Sequence, residues 1–266
     1  MTVKEKIRFW FDDLKTPMGR ATDLVIMGLI VLACVLAVAL TYDADWPTPT
    51  YTFLIAVDEV ITLLFLVEYL LRLWVAEHRL KYVFSLYAII DLIAILPAVA
   101  TAHHVFHAIR VFRLLRIFRL IRFLETQQFF FGKLKQVHLY VLRVAFTLFT
   151  IPFVSAGLIL HAERGHNPEL QTFFEAFYYS VVTLTTVGFG YIVPVTPAGR
   201  LMSILMILSG VIFIPWQVKN LIAYFLTARQ KVFCLCSNCG LEYHEQEAKF
   251  CRRCGKPVDP QKTEEV

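Results

Sequence analysis

The hexapeptide TTVGFG at Thr185–Gly190 decides the fold that we expect for this chain. Its glycines stand at alternate positions, and because glycine accepts positive φ at little steric cost, successive backbone carbonyls can point one way. By itself the hexapeptide also fits an ordinary turn. Its surroundings favour the backbone with aligned carbonyls over the turn. Thr172–Glu175 is a T-x-x-E capping box, which should begin a helix that ends near Leu184, and an apolar helix follows the hexapeptide. The sequence therefore predicts a re-entrant loop between two membrane-spanning helices.

This stretch closely resembles the selectivity-filter signature of the potassium-channel family. Filters of that kind strip an ion of its water with backbone carbonyls from four loops around one axis. The resemblance implies K+ as the permeant ion and, with one loop per chain, a homotetramer. The implied filter residues are Thr185, Thr186, Val187, Gly188, Phe189 and Gly190.

Several positions near the filter depart from the usual pattern of the family. Phe189 replaces a tyrosine whose hydroxyl normally ties the filter to the pore helix, and Tyr191 stands where an aspartate is usual. Tyr178 and Tyr179 occupy the places of paired tryptophans. Because the carbonyls coordinate the ion, potassium chemistry is expected to remain, while these changes bear on rigidity, inactivation and conductance.

The composition predicts a multi-pass membrane protein. Of 266 residues, 58% are hydrophobic, and mean hydropathy is +0.60, which is too apolar for one soluble domain. Several runs reach the ~20 residues that span a bilayer. Basic residues cluster near the N-terminus and after the second span, and the loop at 43–49 has none, so both termini should be cytoplasmic. We therefore expect a protein of the cell membrane, embedded in the lipid bilayer.

The segment 109–123 carries an arginine at every third position. Two-thirds of its positions are Ile, Val, Leu or Phe, so it lacks the broad polar face of an amphipathic helix on a membrane surface, which is the alternative. A spacing of three winds slowly around an α-helix and runs straight along a 3₁₀-helix. Charges in such a helix can respond to voltage, at about 2.3 kcal/mol per charge per 100 mV. The predicted sensor residues are Arg110, Arg113, Arg116, Arg119 and Arg122.

Acidic residues inside the second and third spans are the expected counter-charges. Asp58, Phe65 and Glu68 share one broad helical stripe, and Asp91 sits within the third span. The spacing of Phe65, Glu68 and the later Arg72, together with Asp91, resembles the second and third helices of voltage-gated potassium channels. That resemblance implies a constriction formed by the aromatic ring and two inner acids, with Asp58 as the outer acid. A static structural ion pair remains the alternative.

The resemblance covers roughly residues 21–228 and implies an all-α membrane protein. A cytoplasmic N-terminal segment (1–20) precedes a four-helix voltage-sensor domain (21–124). An interfacial linker helix (125–136) then leads to a two-helix pore domain with a re-entrant loop (137–228). A small cytosolic zinc ribbon (229–266) completes the chain.

Two residues of the last span are candidates for the gate. Gly210 lies at the family's hinge position, although close helix packing is an equally good reading, and Pro215 should bend the helix. His103, His104 and His107 precede the arginine segment. They could sense pH or bind metal, but solvated loop histidines are the commoner case.

The tail contains two CxxCG motifs. Four thiolates in two knuckles suit tetrahedral Zn2+, and a glycine after each pair permits the tight turn. The predicted structural zinc ligands are Cys236, Cys239, Cys251 and Cys254, while Cys234 should be a bystander and His244 could substitute as a ligand. The ribbon could dock an unknown cytosolic partner; a solvated basic face explains its charge better than nucleic-acid binding does.

These features together predict a voltage-gated potassium channel. Two alternatives remain: a potassium or cation channel gated by ligand, pH or zinc with a structural arginine helix, and a membrane-tethered zinc-ribbon adaptor. No hydrolytic or redox constellation occurs, so an enzyme is not expected.

Overall fold

The computed structural model describes residues 17–42, 46–76, 78–100, 107–125, 128–129, 132–133, 136–229, 231–245 and 248–258. The chain divides into two compact units, Met1–Ile214 and Pro215–Val266, which are considered separately here. As predicted, the described part is predominantly helical.

The first part of the larger unit contains the arginine segment and the helices that precede it. Its elements are α1 (Pro17–Ala39), α2 (Thr48–Val75), α3 (Arg79–Val83), α4 (Leu86–Ala100), the arginine helix (His107–Leu120) and α5 (Ile121–Glu125). The arginine helix packs against α1 and α4. All fourteen of its residues are 3₁₀, although such helices seldom exceed 3–4 residues. Three residues complete one 3₁₀ turn, so the arginines form a straight row along it.

The second part of the larger unit contains α6 (Gln136–Glu163), α7 (Phe173–Leu184) and most of α8 (Pro197–Arg229). The predicted capping box is confirmed: the Thr172 hydroxyl accepts from the Glu175 N–H, and the Glu175 carboxylate accepts from the Thr172 N–H. The helix α7 ends at Leu184, as expected, and packs on α6 through Phe153 and Phe173, whose ring centroids lie 5.4 Å apart. These contacts fix the helix directly before TTVGFG.

The linker between α5 and α6 differs from the predicted interfacial helix. Its described residues form β1 (Gln128–Phe129) and β2 (Gly132–Lys133), which pair antiparallel. The physical reason is local: phenylalanine favours extended structure, and glycine weakens a helix by about 1 kcal/mol.

By length and composition, three helices in the described residues can cross a membrane. They are Ala21–Ala39, Val137–Glu163 and Pro197–Leu226. The helix α2 is equally long but carries Asp58, Glu59, Glu68 and Arg72, and α4 has only 15 residues. The six-span layout therefore stays a prediction.

The smaller unit contains the last part of α8, then β3 (Lys231–Phe233) and β4 (Tyr243–Glu245). These strands pair antiparallel, with Phe233 opposite Tyr243. Gly240 and Gly255, which follow the two cysteine pairs, have φ of 68° and 73°. Those values lie in the left-handed region that glycine adopts without strain, so the sequence expectation for these turns is confirmed.

Candidate functional site

Asp58 on α2 holds two arginines of the arginine helix. Its two carboxylate oxygens face Arg113, at 3.0 Å, and Arg116. All three side chains are buried. Buried charges are stable only when paired, so these contacts determine the depth at which the row of arginines sits.

Arg119 lies one 3₁₀ turn further along the helix, within the predicted aromatic and acidic constriction. Its Nε donates to Asp91 at 2.7 Å, and its Nη2 lies 3.5 Å from Glu68. The guanidinium stacks over the Phe65 ring, 4.1 Å from the centroid. Glu68 also pairs with Arg72 at 2.8 Å. The structure thus brings together the four predicted counter-charge residues and three of the predicted sensor arginines.

Thr62 is a member of this cluster that the sequence reading missed. Its hydroxyl accepts from Arg116 Nη2 at 2.6 Å and donates to the Asp58 carbonyl at 2.7 Å, and the residue is buried. Thr62 lies between Asp58 and Phe65 on the stripe of α2 that faces the arginines. A polar residue at that position in an apolar run was the available signal.

The filter segment has an alternating backbone. Thr186, Gly188 and Gly190 have φ of 62°, 57° and 81°, so positive φ recurs at every second residue. Positive φ is unusual for a β-branched residue such as Thr186 and marks a strained position. Alternation of this kind is how a backbone can turn successive carbonyls toward one side.

Hydrogen bonds tie the start of the filter to the end of α7. The N–H groups of Val187 and Gly188 both donate to the Val182 carbonyl, at 3.1 and 3.2 Å. Further along, the ring of Tyr191 packs against that of Tyr178, with the ring centroids 5.9 Å apart. The residue at the usual aspartate position therefore still connects to the pore helix, through a tyrosine pair.

Glu163, at the end of α6, is a second residue that sequence reasoning missed. Its fully buried carboxylate accepts hydrogen bonds from the N–H groups of Val195 and Thr196, at 2.8 and 2.9 Å, and from the Thr196 hydroxyl at 2.6 Å. Asn167 Nδ2 donates to it as well, at 3.0 Å. A Cβ on Gly199 would lie 2.0 Å from Glu163 Oε1, so the start of α8 requires glycine there. This carboxylate anchors the chain that leaves the filter.

The candidate hinge residue Gly210 packs closely against the end of α7. A Cβ at this position would lie 2.2 Å from Leu184 Cδ1. Close packing against Leu184 therefore gives one physical reason for glycine at position 210. The hinge role of Gly210 and the gate role of Pro215 stay predictions.

Residues 19–231 match the family model described as ion transport protein, which is well over half of the chain. The chain belongs to the ion transport protein family. Membership agrees with the predominantly helical, apolar fold and with a membrane location.

Parts of this chain are similar in sequence to three proteins that are named as potassium channels. A hyperpolarization-activated voltage-gated potassium channel of Methanocaldococcus jannaschii is 46% identical over 69 residues, 25% of this chain and 33% of that protein. The voltage-gated potassium channel Kch of Escherichia coli is 41% identical over 68 residues, 26% of this chain and 16% of that protein. The A-type voltage-gated potassium channel KCND3 of Rattus norvegicus is 33% identical over 180 residues, 63% of this chain and 27% of that protein.

The matches cover at most a third of the length of these relatives. The relatives are ion channels, which is a class of protein without enzymatic activity. This agrees with the expectation that the chain is not an enzyme.

In the tail of this family member, four cysteines could bind a metal ion. The sulfur atoms of Cys236, Cys239, Cys251 and Cys254 all lie within 4.8 Å of one another. Cys236 Sγ is 3.6 Å from Cys254 Sγ, and Cys239 Sγ is 3.5 Å from Cys251 Sγ. Sulfurs about 2.3 Å from a tetrahedral Zn2+ lie about 3.8 Å apart, so the observed spacing fits.

The groups around the cysteine cluster shift the pKa values of its thiols in opposite directions. The Lys256 backbone N–H and the Asn238 side chain lower the pKa of the Cys254 thiol to about 6, whereas burial and the neighbouring thiols raise the pKa of the Cys239 thiol. The thiolate is the form that binds metal. His244 is buried, with Nδ1 2.8 Å from the Cys234 carbonyl oxygen, and neither residue belongs to the cluster.

Some predicted residues cannot be compared with the structure. The side chains of Arg110, Arg122 and His107 lie outside the described part of the chain, as do His103, His104 and the N-terminal segment 1–16.

Proposed function

We propose that this chain is one subunit of a voltage-gated, potassium-selective channel. The observation that carries the proposal is the alternation of positive φ at Thr186, Gly188 and Gly190. Backbone carbonyls aligned in this way replace the hydration shell of K+ as the ion passes. Passive potassium transport is the activity that such a segment supports.

Four copies around one axis would complete the pore. Val187, Phe189 and Tyr191 are 55–65% exposed in the single chain, which is unusual for large apolar side chains in an ordered loop beside a membrane helix. Neighbouring copies that line the same axis would cover them. A homotetramer supplies four loops and therefore a closed ring of carbonyls.

Voltage gating is supported by the buried row of arginines. One step of three residues along a 3₁₀-helix is about 6 Å, so a single step would carry Arg116 to the position of Arg119 at Phe65. Asp58, Thr62, Glu68 and Asp91 would hold the charges on both sides of the ring. Each charge that crosses the full potential contributes about 2.3 kcal/mol per 100 mV.

The potassium proposal is tested by the reversal potential of the purified protein in planar bilayers, under opposed K+ and Na+ gradients with voltage steps of both signs. A reversal near the K+ equilibrium potential is expected, and the sign of the steps that open the pore gives the gate polarity. Reversal near zero would contradict selectivity. A K+-selective current whose size does not depend on voltage would agree with the proposed filter and contradict the proposed voltage sensor.

We further propose that the four cysteines bind structural Zn2+ and that both termini face the cytoplasm. Four thiolates at tetrahedral spacing favour zinc over hard cations, which prefer oxygen ligands. Elemental analysis of the protein purified without added metal should give about one zinc per chain. The orientation of the C-terminal tail is tested in right-side-out vesicles from which zinc has been removed by a chelator. Cys236 should then not be labelled by a membrane-impermeant thiol reagent.

A further inference from the structure

The hairpin of β3 and β4 has one apolar face that nothing in the described part of the chain covers. Phe233 and Tyr243 are direct cross-strand partners, with ring centroids 5.6 Å apart. Both are more than half exposed, at 55% and 51%, and Leu235 beside them is 60% exposed. The alternate residues point inward and are buried: Cys234, Cys236 and His244.

The second cysteine knuckle adds positive charge and another aromatic ring. Phe250 is 63% exposed, and the basic residues around it are exposed as well. These residues are Lys249, Arg252, Arg253 and Lys256. Glu242 and Glu245 on the hairpin carry the opposite charge, so the basic surface is confined to the second knuckle. The tail thus combines exposed aromatic side chains with a basic surface.

The chain connection places this hairpin beside a membrane helix. The helix α8 ends at Arg229 and β3 begins at Lys231, so one residue separates them. A residue spans at most about 3.6 Å, so the start of β3 lies close to the end of α8. The apolar stretch Pro197–Leu226 of α8 is long enough to cross a bilayer.

We propose that the tail, comprising the hairpin and the second knuckle, binds the anionic lipid surface at the end of α8. This inference rests on the membrane insertion of α8 that the proposed function requires. Aromatic side chains favour the headgroup region, and basic residues near an anionic surface attract it. The exposed basic residues of the second knuckle and the short connection of the hairpin to α8 therefore select the lipid surface as the partner.

Hydrogen exchange of the full-length chain in lipid nanodiscs tests the proposal, with phosphatidylcholine alone compared with phosphatidylglycerol alone. Slower exchange at residues 231–245 is expected in phosphatidylglycerol, and high salt should remove the difference because it screens surface charge. Exchange of α8 serves as the separate readout of insertion. Fast exchange throughout α8 would contradict the proposed function, whereas slow exchange in α8 with a lipid-insensitive hairpin contradicts only this inference.

Matched variants identify the side chains involved. Arg252→Glu should reduce the lipid-dependent protection by more than about fivefold, because loss of a single positive charge near an anionic surface already corresponds to about that factor and the new carboxylate is repelled. Arg164→Glu, which makes the same charge change in the loop after α6, should leave that protection unchanged. Phe233→Ser should weaken protection without changing charge, and zinc content verifies that each variant is folded. Equal protection in both lipids and in detergent would mean that protein, not lipid, covers the hairpin, and would overturn the proposal. Absence of protection in every lipid would also overturn it.

Discussion

The guanidinium carbon of Arg119 lies 4.1 Å from the centroid of the Phe65 ring, and both side chains are buried. The same arginine donates to Asp91. Arg119 therefore occupies the narrow point of the proposed sensor, with Arg113 and Arg116 on the Asp58 side of it. The proposed gating motion amounts to replacing this arginine at the ring by a neighbour.

Phe65→Leu should destabilise the arrangement in which Arg119 sits at the ring. A desolvated cation over an aromatic face is worth about 0.5–2 kcal/mol, and leucine keeps the apolar volume without the π face. The midpoint of the charge–voltage curve should shift by the equivalent energy. Phe53→Leu, at a 66% exposed position of the same helix, is the matched control and should leave the midpoint in place. An identical midpoint in both variants would count against the stacking.

Thr62→Val should also move the charge–voltage curve, because Arg116 loses a buried acceptor at 2.6 Å. Leaving a buried donor without its partner costs about 1–3 kcal/mol, and valine preserves the shape of the side chain. The control is Thr52→Val, where the hydroxyl is exposed and donates only to the Thr48 carbonyl. Selectivity should be unchanged, since sensor and filter do not share these contacts. A curve that superimposes on that of the wild type would exclude Thr62 from the sensor.

Glu163→Gln should destabilise the segment that follows the filter. The carboxylate accepts four hydrogen bonds, and an amide would turn one oxygen into a donor that faces other donors. A hydrogen bond to a charged group contributes about 1.5–3 kcal/mol, so we expect a lower melting temperature of the protein and a faster decline of current during sustained opening. Glu169→Gln, at an exposed position, is the control. Unchanged current decline together with unchanged melting would refute the anchoring role.

Gly210→Ala distinguishes close packing from hinge bending. The added methyl would overlap the Leu184 side chain, and overpacking of this kind destabilises by about 1–3 kcal/mol. If packing is the reason for glycine, the double variant with Leu184→Ala should recover thermal stability and open probability. A double variant that regains stability but still cannot open would favour the hinge.

Cys251→Ser should abolish metal binding and unfold the tail, while potassium permeation continues. A small domain with a metal site depends on the metal for much of its folding free energy. Cys234→Ser is the matched control, since Cys234 lies outside the four-sulfur cluster and should retain stoichiometric zinc. The check is zinc content together with the reversal potential of each variant. A wild-type protein without zinc would falsify the zinc assignment itself.

The parts of the site that the sequence predicted are encoded over a few neighbouring residues. The capping box of Thr172 and Glu175 needs only one helical turn. The two CxxCG motifs place each cysteine pair by local turn geometry. Glycine at positions 188 and 190 permits the positive φ of the filter backbone. Local steric rules are nearly independent of the rest of the fold, which is why such patterns transfer from sequence to structure.

The linker shows the limit of that reasoning. Its aromatic and basic composition suggested an interfacial helix, yet Phe129 pairs with Gly132 in a short antiparallel bridge. Composition states which surface a segment favours, but not whether its backbone is helical or extended, because either conformation can satisfy that preference.

The sequence by itself determined the filter, the row of arginines and the four cysteines, because each follows from residue type and spacing within one element. Only the tertiary structure decided which groups meet across elements. Asp58 takes two arginines with Thr62 beside it, although 58 residues separate Asp58 from Arg116. Glu163 meets Thr196 across 33 residues. Such pairings depend on the relative depth and rotation of packed helices. These are determined by the packing of the whole core, and no local sequence pattern encodes them.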